Sequence, residues 1–289
     1  MQYSQTKAGL VLEGGGLRGI FSAGILRRFV DEGLSFTSLY GVSMGACNGV
    51  NFTSRQHERN RIVSIKYVND PRYLSFLRLL KGGDLFGMDF IFREIPYHLS
   101  PFDYEAFHNN PTKFWIGVTD CNSGNAVYFE KKQFGNIDEC CAILKASASL
   151  PLISKPVSFN NSTYMDGGIA DPIPIRKCMD EGEKKRVILL TQPAGYQKKA
   201  SKGELLCRMR YPHFKEMNKI LSYRHEVYND TLSMIENMEQ RGEAFVIRPE
   251  TTLGVGRVCR NQKKLYQLYD EGYFAAQRKA DALREYLAI

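Results

Sequence analysis

Two glycine-rich turns near the start of the chain constrain its fold more than any other feature. The first turn covers residues 14–19 and reads GGGLRG, and the second covers residues 41–45 and reads GVSMG. Each turn follows a short apolar run that is typical of a buried strand, and each precedes a segment with a helical pattern. This β-turn-α-β-turn-α pattern predicts an α/β fold with a parallel sheet and helices on both of its faces.

The second turn places a serine, Ser43, between two glycines, which is the pattern of a nucleophile elbow. Such a turn projects the serine hydroxyl away from the backbone, where a neighbouring base must take its proton. The glycines of the first turn leave backbone N–H groups unobstructed, and a helix begins directly after Ser43. Four N–H groups are candidates for an oxyanion hole: those of Gly15, Gly16, Leu17 and Met44. The two turns together predict a serine that attacks a carbonyl group.

The base that would activate Ser43 has two candidate types. Among the histidines, His213 and His225 are the ones that follow the acid in the order of an α/β-hydrolase, and both lie in a predicted long helix. The other candidate is Asp166, which follows a short predicted strand over residues 163–165 and precedes two glycines. Burial beside Ser43 would raise the pKa of this carboxyl group toward the range of a general base.

The first turn also fits a different motif. Gly14, Gly16 and Gly19 satisfy the G-x-G-x-x-G fingerprint of dinucleotide-binding proteins. That fingerprint expects an acidic residue at the end of the second strand, but this strand ends in residues 41–43, which contain no carboxylate. Two alternatives to a hydrolase therefore remain. The first is a protein that binds a lipid or acyl group without hydrolysing it, and the second, weaker one is a dinucleotide-binding protein.

The order of three segments resembles that of patatin-like phospholipases: residues 14–19, residues 41–45 and the Asp-Gly-Gly turn at residues 166–168. Residues 146–151 and 171–174 look like two further blocks of that family. The resemblance extends over roughly two thirds of the chain and implies a three-layer α/β/α fold with a mostly parallel central sheet. It also implies hydrolysis of acyl esters of phospholipids, lysophospholipids or neutral lipids.

The resemblance implies a Ser–Asp dyad without histidine, in which Ser43 is the nucleophile and Asp166 is the base. It implies no metal ion and no other cofactor. The remaining motif residues would shape the substrate site or its loops: Gly14, Arg18, Gly19, Gly41, Gly45, Gly167 and Gly168. Arg18 fits two roles, because its guanidinium could bind a substrate phosphate or pair with a carboxylate that fixes the loop.

The rest of the chain sets the context of this chemistry. Residues 8–192 are expected to form the acyl hydrolase core, and residues 193–289 a C-terminal extension packed on it, with a long helix, a short strand and a terminal helix. The net charge is +8, and many cations follow one another in the later part of the chain. They are Lys184, Lys185, Arg186, Lys198, Lys199, Lys202, Arg208, Arg210, Lys215, Lys219 and Arg224. A basic face of this kind attracts anionic lipid headgroups.

We therefore expect a lipid or acyl-ester substrate and peripheral contact with a membrane, and no nucleic acid. The sequence contains neither an apolar run of about 18 residues nor a secretory signal, which predicts a cytoplasmic protein with any membrane contact at the inner face. Seven scattered cysteines predict free thiols and no zinc site. An apolar cluster between residues 86 and 92 fits two roles, the lining of an acyl pocket and core packing, and core packing is the favoured interpretation for most of its members.

Overall fold

A central sheet of eight strands organises the computed structural model, which describes residues 6–201 and 203–289. The strands are β1 (Thr6–Leu12), β2 (Phe36–Val42), β3 (Lys113–Asp120), β4 (Ala126–Glu130), β5 (Val157–Phe159), β6 (Ser162–Asp166), β7 (Arg186–Leu189) and β8 (Phe245–Ile247). The pairs β3–β2, β2–β1, β1–β7 and β7–β8 are parallel. The pairs β3–β4, β3–β6 and β5–β6 are antiparallel. The sheet is therefore mostly parallel, as the sequence predicts.

Helices lie between and after the strands. They are α1 (Ile20–Asp31), α2 (Met44–Thr53), α3 (His57–Arg61), α4 (Phe76–Leu80), α5 (Tyr104–Asn109), α6 (Ile137–Ser147), α7 (Ile175–Asp180), α8 (Glu204–Arg210), α9 (Lys215–Gln240), α10 (Gln262–Arg278) and α11 (Ala280–Leu287). Two wider π-helical segments cover Ile62–Lys66 and Phe90–Leu99. No helix among the described residues is both long enough and apolar enough to cross a membrane.

The sheet is buried on both faces. Along β1, Leu10 and Leu12 pack into one apolar cluster, whereas Val11 between them packs into a second cluster. Successive side chains of a strand point to opposite faces of the sheet, so the two clusters lie on opposite faces. The first cluster includes residues of α1, α2, α6 and α10, and the second includes residues of α7 and α9. This arrangement confirms the predicted three-layer α/β/α fold.

The structure differs from the predicted elements at several places, among them helices α7 and α8, which are not predicted. Strand β5, which is not among the predicted elements, adds an antiparallel edge to β6. The predicted terminal helix over residues 265–287 is two helices, because α10 ends at Arg278 and α11 begins at Ala280. The apolar period continues across this break, so the periodicity alone does not reveal it.

The segment after residue 192 joins the core by a strand and by a helix. Strand β8 extends the parallel sheet beyond β7, and α10 packs on α1 at two glycines. A Cβ atom on Gly24 would lie 1.9 Å from the carbonyl oxygen of Tyr269, and a Cβ atom on Gly272 would lie 2.0 Å from that of Phe21. The two helix backbones therefore touch, which only glycine allows at these positions.

The register of the sheet brings β2 and β6 together end to end. Val42, the last residue of β2, pairs with Gly117, and Asp166, the last residue of β6, pairs with the next residue, Val118. Strand β4 occupies one edge of β3 over this stretch, so β2 and β6 share the other edge. Because β2 is parallel and β6 antiparallel to β3, their carboxyl ends meet. This register places Ser43 next to Asp166.

Candidate active site

Ser43 has a strained backbone at the turn between β2 and α2. Its φ and ψ angles are 54° and −127°, which non-glycine residues rarely adopt. Its N–H group donates to the hydroxyl of Ser147 at 2.8 Å, and that hydroxyl donates to the carbonyl oxygen of Gly117 at 2.7 Å. The turn is tight, because a Cβ atom on Gly45 would lie 2.4 Å from the carbonyl oxygen of Leu12. These contacts fix the direction of the Ser43 side chain.

The structure brings Ser43 and Asp166 into direct contact. The Ser43 hydroxyl donates to Oδ2 of Asp166 at 2.7 Å, and the N–H of Gly168 donates to Oδ1 at 2.8 Å. Asp166 is 1% exposed, and this burial raises the pKa of its carboxyl group, although the Ser43 bond and the positive charge of Arg224 oppose the rise. A carboxylate in this position can accept the serine proton.

Three of the four predicted oxyanion donors are free in the described part of the chain. The N–H groups of Gly15, Gly16 and Met44 make no hydrogen bond to another described residue. The N–H of Leu17 differs from the expectation, because it donates to the carbonyl oxygen of Arg257 at 3.0 Å. That carbonyl belongs to the segment after residue 192, which the local sequence of the turn does not reveal. Leu17 therefore serves to attach that segment to the glycine turn.

The other motif residues lie in the same three turns. Gly14, Arg18 and Gly19 follow β1, and Gly167 and Gly168 follow Asp166. Gly41 lies near the end of β2, two positions before Ser43. Arg18 forms neither an ion pair nor a side-chain hydrogen bond with any described residue, and its Nε atom is buried without a partner. The sequence left two roles open for Arg18, and the structure does not pair it with a carboxylate.

The histidines that the sequence offers as alternative bases lie elsewhere. His213 precedes α9 rather than lying within it, is exposed, and contacts the ring of Phe214 edge-on, with a distance of 4.2 Å between ring centres. His225 lies within α9 and is 3.7 Å from a carboxylate oxygen of Glu226. Within residues 6–201 and 203–289, the partner of the Ser43 hydroxyl is Asp166.

An apolar cleft opens beside Ser43, with about 950 Å³ of empty space when its open mouth is included. Its walls come from α2, α6 and the region of short helices between residues 60 and 102. Four members of the apolar cluster line it: Phe86, Met88, Ile91 and Phe92. These residues thus line the cleft, while Phe86, Ile91 and Phe92 also pack against the apolar core. Only Phe90, which packs under Arg72 and against Tyr67, lies away from the cleft.

A second, polar chamber lies on the other side of Ser43. We call it the cationic chamber, because its lining includes Arg18, Lys198, Arg224 and Arg257. Two members of the predicted basic face, Lys198 and Arg224, thus point into the molecule, whereas Arg208 and Arg210 are exposed on α8. Lys202 lies outside the described residues. The run of cations is therefore not one surface, and no sequence pattern indicates that Arg257 lies in the cationic chamber.

The described residues contain no group of three or more His, Cys, Asp or Glu side chains that could hold a metal ion. Fold and site together define an α/β protein whose elbow serine contacts a buried aspartate beside an apolar cleft. The chain belongs to the patatin-like phospholipase family, whose model matches residues 10–179. A second model, described as a domain of unknown function (DUF6363), matches residues 214–288.

Two curated relatives illustrate the similarity. The uncharacterized protein YjjU of Escherichia coli is 29% identical over 190 residues, which cover 64% of this chain and 52% of YjjU. Lysophospholipase NTE1 of Cryptococcus neoformans is 25% identical over 182 residues, or 63% of this chain and 11% of that enzyme. The chain thus matches about half the length of YjjU and a small part of NTE1. The crystal structure of VipD from Legionella pneumophila aligns with a TM-score of 0.47 and 12% identity over 97% of this chain and 68% of VipD.

Proposed function

We propose that this protein is a serine acyl hydrolase that cleaves fatty-acyl esters of phospholipids, lysophospholipids or related lipids. The observation that carries the proposal is the 2.7 Å hydrogen bond from the Ser43 hydroxyl to the buried Asp166 carboxylate, next to an apolar cleft. Family membership and the name of the relative lysophospholipase NTE1 agree with this class of reaction.

The proposed reaction uses Asp166 twice. Asp166 takes the hydroxyl proton while Ser43 Oγ attacks the ester carbonyl carbon, and the free N–H groups of Gly15, Gly16 and Met44 stabilise the negative oxygen. The ester C–O bond then breaks, and the leaving alcohol or lysolipid receives the proton from Asp166. Water, deprotonated by the same carboxylate, then attacks the acyl carbon. The bond from that carbon to Ser43 Oγ breaks, Ser43 takes the proton back from Asp166, and the fatty acid leaves. Each group returns to its starting state, so no cofactor is required.

The apolar cleft is the proposed site of the acyl chain. It begins at Ser43 and Met44 and continues between aromatic and aliphatic side chains, so an acyl chain bound there would be removed from contact with water. Each buried CH₂ group stabilises the complex by about 0.8 kcal/mol. The cleft therefore favours lipid esters over short water-soluble esters.

We also propose peripheral contact with a lipid surface through α8 and α4. Leu205 and Met209 on α8 are 68% and 69% exposed, and Leu80 on α4 is 85% exposed. The segments that follow the two helices contact the same turn. The N–H of Leu85, after α4, donates to the carbonyl oxygen of residue 153, and the hydroxyl of Tyr211, directly after α8, donates to the carbonyl oxygen of residue 154. Exposed cations on α8 would add attraction to anionic headgroups. Co-sedimentation with anionic vesicles should decrease when Leu205 is replaced by Glu, and unchanged binding would contradict the contact.

A fluorophosphonate probe and a lipid-ester assay test the dyad together. Ser43→Ala should lose both labelling and hydrolysis, and Asp166→Asn should lower kcat by about 100- to 10,000-fold because the general base is gone. Ser158→Ala, which removes an exposed serine hydroxyl on β5, is the matched control and should behave as wild type. Lipid binding without labelling or turnover by folded wild type would instead favour the non-catalytic alternative.

A further inference from the structure

The cationic chamber and the apolar cleft meet at the reacting serine. Four residues border both spaces: Gly16, Ser43, Leu150 and Arg257. An ester bound at Ser43 would therefore have the cleft on one side and the chamber on the other. The chamber is the smaller space, at about 350 Å³ against about 950 Å³ for the cleft, mouths included. An acyl chain in the cleft would thus leave the other side of the ester, which carries the alcohol part, in the chamber.

Four cations face this small space, and three of them come from the segment after residue 192. The Nζ atom of Lys198 lies 4.9 Å from the centre of the Tyr228 ring, and this Nζ forms no ion pair or hydrogen bond with a described residue. Its burial and the neighbouring charges of Arg224, Arg257 and Arg18 lower the pKa of Lys198 to about 7. The four charges therefore interact with one another, which is unfavourable without a counter-ion.

The carboxylates of the chamber supply only part of that counter-charge, although Glu13 attracts Arg18 and Asp166 attracts Arg224. Glu13 accepts hydrogen bonds from the hydroxyl of Tyr228 at 2.6 Å and from the N–H of Thr191 at 2.5 Å. Asp166 accepts from Ser43 and Gly168, as described above. Neither carboxylate forms an ion pair with a described cation. Even with both ionised, four cations and two carboxylates leave an excess of positive charge.

We propose that the cationic chamber binds the phosphate group of an anionic lipid substrate, with Lys198 and Arg257 as headgroup-binding residues. This inference rests on the proposed function, because the phosphate must lie close to the ester at Ser43. Arg18 supplies the fourth cation, with an Nε donor that lacks a partner. Arg224 also holds the turn after Asp166, since its Nε donates to the carbonyl oxygen of Gly168. A compact phosphate monoester fits this charge, whereas a choline headgroup would add a repelled cation.

The test compares two esters that differ only in the phosphate. Wild type should hydrolyse oleoyl lysophosphatidate with a kcat/KM at least about tenfold above that for monooleoylglycerol, the effect expected of one hydrogen bond between charged groups. Lys198→Met and Arg257→Gln should each lower this ratio toward one. Lys199→Met, which removes the neighbouring exposed charge, should leave both rates unchanged. A ratio near one in wild type, or one that neither variant changes, would overturn the inference while leaving the hydrolase intact.

Calorimetry on Ser43→Ala protein separates the two proposals, because it requires no turnover. Oleoyl lysophosphatidate should bind, and the added Lys198→Met change should weaken its binding by about tenfold or more. If this binding is found while wild type hydrolyses neither ester, the headgroup site stands and the proposed function falls. Inorganic phosphate that binds as tightly as the lipid, with no preference between the two esters, would identify a free-phosphate site and overturn the lipid assignment. Absence of Lys198-dependent binding would overturn the inference as well.

Discussion

Ser147 holds the strained serine, and its removal should cost both stability and rate. Its hydroxyl is fully buried, accepts from the Ser43 N–H at 2.8 Å and donates to the Gly117 carbonyl oxygen at 2.7 Å. Ser147→Ala leaves one donor and one acceptor buried without a partner. At about 1.5 kcal/mol for each group, the free energy of unfolding should fall by about 3 kcal/mol. The corresponding decrease in Tm is about 5 °C, because the unfolding entropy of a 289-residue chain is about 0.6 kcal/mol/K.

The rate should fall because the Ser43 backbone then loses a bond that keeps it in an unfavourable conformation. Relaxation from φ 54° and ψ −127° would move the hydroxyl away from Asp166. A displacement of about 1 Å can cost about 100-fold in rate, so we expect kcat to fall by about 10- to 100-fold. KM should change by less than about threefold, because the cleft is not altered. Steady-state kinetics on a chromogenic acyl ester, well below the Tm, measures both.

Ser38→Ala is the matched control for Ser147→Ala. Ser38 lies at the opposite end of β2, is 1% exposed, and donates to Glu183 at 2.5 Å. Its loss should lower stability by about 1–2 kcal/mol without moving Ser43, so kcat should stay within about twofold of wild type. If Ser147→Ala keeps the wild-type kcat, or loses no more than Ser38→Ala, the hydroxyl does not position Ser43 and the reasoning fails.

Three further predictions follow from burial and close contact. Because Asp166 must be ionised to act as the base, its raised pKa means that kcat/KM should decline as the pH falls through a value above the usual aspartate pKa of about 3.9. A decline of kcat/KM centred on the usual value would contradict the effect of burial. Gly24→Ala should separate α1 from α10 and lower the free energy of unfolding by at least about 1–3 kcal/mol in denaturant titrations, whereas Gly135→Ala, with no atom within 3.5 Å, should have little effect. Ile91→Trp should narrow the cleft and lower the palmitoyl-to-butyryl rate ratio by roughly tenfold, and an unchanged ratio would exclude this wall from acyl binding.

Local signals in the sequence predict the fold, whereas the pairing of Ser43 with Asp166 comes from the family resemblance, because the residues alone leave a histidine base open. The turns at residues 14–19 and 41–45 each follow an apolar run, and functional loops of α/β proteins collect at the carboxyl ends of parallel strands, here β1 and β2. In the sequence, residues 146–151 are indicated only by the family resemblance. The structure shows that their hydrogen bonds hold Ser43 and Asp166 in place. Ser147 bonds to the amide of Ser43, and the carbonyl oxygen of Ser149 accepts from the N–H of Asp166 at 2.9 Å. This one helix end positions both members of the pair.

Features that depend on distant packing could not be predicted in this way. The occupied N–H of Leu17 requires Arg257, which is more than two hundred positions away in the chain. Whether Phe90 or Ile91 lines the cleft depends on how a π-helical segment turns, and the period of this segment is not the 3.6 residues of an α-helix. The inward direction of Lys198 and Arg224 likewise depends on where α9 packs. Charge counted along the chain does not distinguish an outer face from a chamber.

The division of the site between two parts of the chain has a consequence for its relatives. The serine, the aspartate and the glycine turns lie within the matched patatin-like region at residues 10–179, whereas Arg224 and Arg257 lie within the second matched region at residues 214–288. Under the proposals above, the first region performs the ester chemistry and the later segment selects the headgroup. A relative that shares the first region but carries different side chains at these two arginines should then keep ester hydrolysis and lose the preference for phosphate.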